Sequence, residues 1–145
     1  MDHLLPQTGT AELLEELSGL IPDEFINDLF PRRKGRGRRN SFCAAQLYRT
    51  LLLALLTPVD SFNLLTRMLS EQRAWRQFAL LRNRRDLPDA KMLHCFREAC
   101  GVSGLRAINR HLLLQLLPPY NPSQRTVALI DSTDLPAATS SFKKN

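Results

Sequence analysis

Residues 1–30 contain no lysine and no arginine, although the whole chain holds twenty. An export signal needs a positively charged start, so none is expected here. Long apolar runs are missing too: the longest, Leu51 to Leu56, is far shorter than the roughly 20 residues that cross a bilayer. No membrane partner is expected, and the sequence predicts a soluble intracellular protein. Cysteine is scarce. Cys43, Cys95 and Cys100 are odd in number and lack C-x-x-C spacing, which argues against a disulfide framework and fits reduced structural thiols. His94 and His111 have no ligand-type neighbours at metal-binding spacing and read as helix-surface or boundary residues.

What is present is an uneven charge distribution. The 145 residues are 43% hydrophobic, enough for one domain with a real core, and the net charge is +6. Residues 1–30 carry seven acidic groups, residues 31–39 six basic ones, and residues 40–145 fourteen basic against seven acidic. An acidic start, a dense basic block and a basic remainder point to a polyanionic partner.

In chain order, Thr10 caps a predicted helix with leucines at 13, 14, 17 and 20 on one face. After Ile21-Pro22-Asp23 a short helix follows through Phe25, Ile26, Leu29 and Phe30. Both are amphipathic and acidic, so they should pack on something rather than touch phosphates. Arg32, Arg33, Lys34, Arg36, Arg38 and Arg39, interleaved with Gly35 and Gly37, form a basic loop. Either it is a solvated turn, or its arginines pair with phosphate oxygens where glycine lets the backbone approach. Asn40 or Ser41 then caps a helix over 42–56 that is apolar nearly all round, with Arg49 almost its only charge. Such a helix belongs inside a bundle. Asp60 or Ser61 caps the next, with Phe62, Leu64, Leu65 and Met68 as its buried set. The pattern continues through Trp75 and Phe78, core anchors three residues apart, as a kinked continuation or a separate helix.

A second basic loop, Arg82 to Asp89, holds Arg84 and Arg85. Asp89 caps a helix over Ala90–Cys100, Gly101 to Gly104 is expected as a tight turn, and a further helix runs over 105–117. Helix, glycine turn, helix is the outline of a helix-turn-helix unit, and equally of any α-helical hairpin. If it binds DNA, the exposed candidates are Lys91, His94, Arg97, Arg106 and Arg110.

The one strand-like run is Arg125 to Asp134, where Val127-Ala128-Leu129-Ile130 ends on Asp131. Asp131 is either a turn residue or a carboxylate held at the rim of a sheet.

Two segments resemble a known family. Leu87-Pro88-Asp89, leading into the helix with Phe96-Arg97, is similar to the helical N-terminal domain of bacterial insertion-sequence transposases of the DDE type, in the IS4- and IS5-like group. Val127 to Thr133 is similar to that family's first catalytic strand, with Ser132 where glycine is frequent. The resemblance covers about residues 40–135. It implies a mainly α fold: a multi-helix bundle followed by the first strand of an incomplete RNase H-like core. The corresponding divisions are acidic helices over 1–30, the basic loop over 31–40, a DNA-binding helical domain over 41–119 and the start of a truncated catalytic domain over 125–145.

In such an enzyme two Asp and one Glu hold Mg²⁺ for phosphodiester cleavage and strand transfer. Asp131 matches the first of these, as catalytic residue and metal ligand; Asp134 is the weaker candidate. One carboxylate cannot position two ions, so Mg²⁺ is expected only in the complete enzyme and this chain is expected to be inert alone. The implied partners are double-stranded DNA at transposon ends and a second copy or the full-length transposase. The implied location is the bacterial cytoplasm, at the nucleoid. A self-contained helical DNA-binding regulator that inhibits transposition is the alternative.

Overall fold

The computed structural model describes residues 8–32 and 42–117. They form α1 (Thr8–Leu20), α2 (Asp23–Leu29), α3 (Ala44–Leu56), α4 (Phe62–Glu71), α5 (Arg73–Phe78) and α6 (Ala90–Leu116). No strand occurs among the described residues, so the mainly α expectation holds there. The strand over 125–134, with Asp131 and Asp134, lies outside them, as do residues 33–41.

The all-round apolar helix takes the expected central place: seven residues of α3 are buried, among them Ala45, Leu53 and Arg49. Its start differs from expectation. The N-cap is Cys43, not Asn40 or Ser41, and the free N–H groups of the first turn find other acceptors. The Cys43 N–H donates to Gln46 Oε1 (2.9 Å) and the Ala45 N–H donates to Asn27 Oδ1 of α2 (3.0 Å).

Arg49, only 2% exposed, is the centre of the polar framework. Its guanidinium grips Asp23 through Nε and Nη2, both at 2.8 Å, and donates to Ser18 Oγ, Ser18 O and Phe78 O at 2.6–2.9 Å. All five donors of the fork are used. One side chain therefore ties α1, α2, α3 and α5 together, so the acidic helices are clamped onto the core that Leu14 and Ile26 help to build.

These contacts also set helix directions. Asn27 meets Ala45 and Asp23 meets Arg49, so α2 runs antiparallel to α3. Phe30 packs edge-on against Phe96 (5.6 Å between ring centroids) and over Gly104, and Phe25 stacks on His111 (4.1 Å), so α2 runs antiparallel to the part of α6 after Gly101. Hence that part of α6 runs parallel to α3.

Ser61 caps α4 by accepting from the Leu64 N–H (3.2 Å). Leu65 and Leu69 are its buried residues, whereas Leu64 faces solvent, a correction to the expected set. The break at Gln72 makes α5 a separate helix. Across that break Arg76 donates to the carbonyls of Leu69 and Ser70 (2.7 and 2.8 Å), closing the C-terminus of α4. Phe78 is buried and Trp75 half-buried against the core, as expected of anchors.

Asp89 caps α6 as predicted, accepting from the Met92 N–H at 2.7 Å. At Gly101 (φ 54°, ψ −169°) the backbone leaves helical geometry, so α6 is two helices, 90–100 and 102–116, joined at a glycine kink. The expected break at Gly101 is therefore present but tighter than a turn over Gly101–Gly104; Leu93, Phe96 and Cys100 are buried before it, Gly104 and Ile108 after it. The first helix likewise starts at Thr8, ahead of the predicted cap at Thr10.

Candidate nucleic-acid interface

One stem of the first basic block lies beside the second half of α6 and the other beside the second basic loop. The block leaves the fold at Phe30, which lies over Gly104; a Cβ there would fall 2.7 Å from Phe30 Cζ. Pro31 and Arg32 follow, both exposed. The chain returns at buried Phe42 and at Cys43 on the α3 N-terminus. Phe42 then lines a depression of about 160 Å³ with Gln46, Leu80, Leu81, Arg82, Asn83 and Asp86, the start of the second loop. Both stems of the first block thus lie on the bundle, one beside α6 and one beside the second loop. Arg33, Lys34, Arg36, Arg38 and Arg39 themselves lie outside the described residues.

The second loop is also held at its ends while its middle is exposed. Leu81 is buried, Pro88 is fully buried, and the Thr66 hydroxyl donates to the Pro88 carbonyl at 3.0 Å. Between them Arg82, Arg84 and Arg85 stand in solvent, with Asn83 to Asp86 around an open hollow of about 450 Å³. Arg84 reaches both carboxylate oxygens of Glu71 at 3.1 and 3.3 Å. With both side chains 64% exposed, that pair contributes little and can be exchanged for a phosphate.

On α6, Lys91 and Arg97 are exposed on the first half and Arg106 and Arg110 on the second. Arg97 lies over the Phe62 ring (5.6 Å), and the same ring packs against His94 at 4.6 Å. Its cation is thereby held in place without being neutralised. Arg106 and Arg110 stand on the far side of the break at Gly101 from Lys91 and Arg97. Arg84, Arg85 and Lys91 follow one another along the second loop and the start of α6, whereas Arg32 and Arg106 each lie two residues from the Phe30–Gly104 contact.

Arg82 is absent from the expected set, although it stands in the loop that the sequence marks as basic. Arg67 and Arg73 are exposed as well, on α4 and α5. Phe62 as a support for Arg97 had no local signal, because the two are brought together only by packing of α4 on α6.

Among the described residues the buried Cys100 and Tyr48 are not activated groups. Burial pushes the Cys100 thiol up, keeping it protonated and unreactive near neutrality. Burial, with Cys100 nearby, raises the Tyr48 phenol in the same way. Among the described residues no three His, Cys, Asp or Glu side chains are grouped to hold a metal ion, and no helix is long and apolar enough to cross a membrane. What the geometry offers is rigidly mounted positive charge with hydrogen-bond donors, suited to binding phosphate oxygens.

Residues 2–99 match the family described as "Transposase domain (DUF772)". No curated protein and no solved structure matches the chain.

Proposed function

The chain belongs to the transposase-domain family, and we propose that its bundle is the DNA-holding part of an insertion-sequence transposase of the DDE type, in the IS4- and IS5-like group. The observation that carries this reading is the second basic loop, where exposed Arg82, Arg84 and Arg85 stand between buried Leu81 and Pro88, beside Phe42 at which the chain returns from the first basic block. Contacts from such loops go to phosphates, so they supply affinity and orientation rather than sequence discrimination. The partner is double-stranded DNA at the transposon ends, met in the bacterial cytoplasm at the nucleoid, with a second copy of the chain or the full-length enzyme alongside. Asp131 serves as the first of three metal-holding carboxylates. The two Mg²⁺ ions of the complete site would activate the attacking water or 3′-hydroxyl. These 145 residues alone bind but do not cleave.

The test is affinity for a labelled duplex as a function of salt. Binding constants should fall with salt with a log–log slope of about −0.9 per phosphate neutralised. Affinity that ignores salt, or no binding at low ionic strength, overturns the proposal. Mg²⁺-dependent strand cleavage by the purified chain would overturn the claim of inertness.

A further inference from the structure

Two arginine–carboxylate pairs occur among the described residues, and they are built differently. Buried Arg49 meets Asp23 with Nε and Nη2 on separate oxygens, both at 2.8 Å. Arg84 meets Glu71 with one nitrogen, Nη2, shared between the two oxygens at 3.1 and 3.3 Å. Charge-assisted hydrogen bonds usually measure about 2.7–2.9 Å, so the second pair is loose. Among the described residues Nε and Nη1 of Arg84 have no acceptor, which leaves most of its fork open to a ligand.

Glu71 is also poorly placed to stabilise the fold. It is the last residue of α4, at the negative end of the helix dipole, where a carboxylate is disfavoured. Arg76 covers the carbonyls of Leu69 and Ser70 at that end, but the Glu71 carboxylate has only Arg84 and the Ser70 hydroxyl (3.3 Å). The arginine that it holds lines the open hollow with Asn83, Arg85 and Asp86. Asp86 makes no ion pair among the described residues, so the carboxylate that occupies a loop arginine is that of Glu71.

We propose that Glu71 stands in for a DNA phosphate: its carboxylate holds Arg84 in the free chain, and a backbone phosphate of duplex DNA displaces it. Glu71 thereby limits the affinity of the second loop. This rests on the reading of that loop as DNA-binding and adds the residue that regulates it. The exchange favours the phosphodiester, which carries the same single charge and can offer two oxygens to two nitrogens of the guanidinium.

The experiment compares duplex affinity of the full chain, wild type and Glu71→Gln, at one ionic strength, each with and without Arg84→Gln. Glu71→Gln should bind about two- to fivefold more tightly, the range expected for releasing an exposed pair, with no loss of melting temperature. With Arg84→Gln present the gain should shrink, since no arginine remains to be released. Glu71→Asp keeps the charge but is one methylene short of the contact, so it should show part of the gain. Equal gains with and without Arg84 overturn the proposal, as does no gain from Glu71→Asp, because Glu71 would then act only as a charge that repels DNA. A lower melting temperature for Glu71→Gln also overturns it, by making the pair a structural one. If wild type binds and Glu71→Gln binds no tighter, this inference alone falls. If neither binds at low ionic strength, the DNA reading falls with it.

Discussion

Two regions of the bundle leave different chemistry uncovered. On the loop from α5 into α6 the exposed groups are Arg82, Arg84, Arg85 and Lys91, beside buried Leu81 and Pro88. On the last turns of α3 and of α6 the exposed groups are Leu55, Leu56, Leu113, Leu114, Leu116 and Leu117. Charge left in water is paid for by hydration and serves a charged partner, whereas leucine left in water gains free energy from any apolar cover. Arg49 shows what the same residue does inside: with every donor satisfied it holds helices together and is unavailable to a ligand. An arginine's role in this fold follows from its burial.

The strongest way to break the comparison is to remove the clamp that orients the helices. Asp23→Ala leaves the buried Arg49 cation without its bidentate partner and should cost about 3 kcal/mol, read as a lower midpoint in urea. The double change Arg49→Met with Asp23→Ala should cost less than the two single changes summed, since it leaves no unpaired buried charge. Additive losses would mean that the pair does not act as a unit, and the shared direction of α3 and the second half of α6 would need another cause.

The comparison sharpens when the basic loop is altered alone. Arg82→Ala, Arg84→Ala and Arg85→Ala together should leave the melting temperature unchanged while duplex affinity falls about tenfold or more at physiological salt. The salt slope should shrink by roughly 2 to 3. Equal affinity for wild type and variant would detach the second loop from binding. Loss of stability instead would show that these arginines hold the fold.

Much of this architecture was legible locally. Asp89 before an apolar-periodic run marked the α6 cap, and the all-round apolar run over 42–56 marked the central helix. What sequence could not show is whatever closes over long separations. Asn27 caps α3 from 18 residues upstream, across the basic block, and Asp23 finds Arg49 26 residues away. The two glycines were legible by half: Gly101 does break the helix as read, but Gly104 is helical and is there to admit Phe30, a contact from far upstream. The placement of Phe42, at the return from the first basic block, beside Leu81 and Arg82 was illegible as well, since only packing brings them together.

Gly104→Ala tests that close approach. A methyl group would lie 2.7 Å from Phe30 Cζ and 2.9 Å from Cys100 Sγ, so Phe30 must shift. Overpacking costs about 1–3 kcal/mol and alanine's better helix propensity returns about 1, leaving a net loss near 1 kcal/mol in urea unfolding. Because Phe30 directly precedes the basic block, duplex affinity should also fall, by about two- to threefold (under 1 kcal/mol). A stability loss with no change in affinity would separate the Phe30 stem from the binding surface.

The smallest effect expected is a gain. Leu80 has φ +57°, the only positive φ among the described non-glycine residues. It ends α5, with the Leu81 N–H donating to Arg76 O (2.8 Å) and the Leu80 N–H to Gln77 O (3.1 Å), a closure at which glycine is usual. A leucine there costs about 1–2 kcal/mol of backbone strain. Leu80→Gly removes that strain, keeps the Leu80 carbonyl that accepts from Gln46 Nε2, and gives up a side chain that is 43% exposed. Greater freedom of glycine in the unfolded chain offsets roughly half of the relief, so a net gain of about 0.5 kcal/mol is expected. Leu80→Ala should not share it, since its Cβ keeps the strain while the packing is lost. If Leu80→Gly instead destabilises the bundle, the Leu80 side chain beside Phe42 contributes more than its strain costs. The basic loop would then depend on apolar packing as the leucine-lined turns do, and the contrast between them would narrow to charge alone.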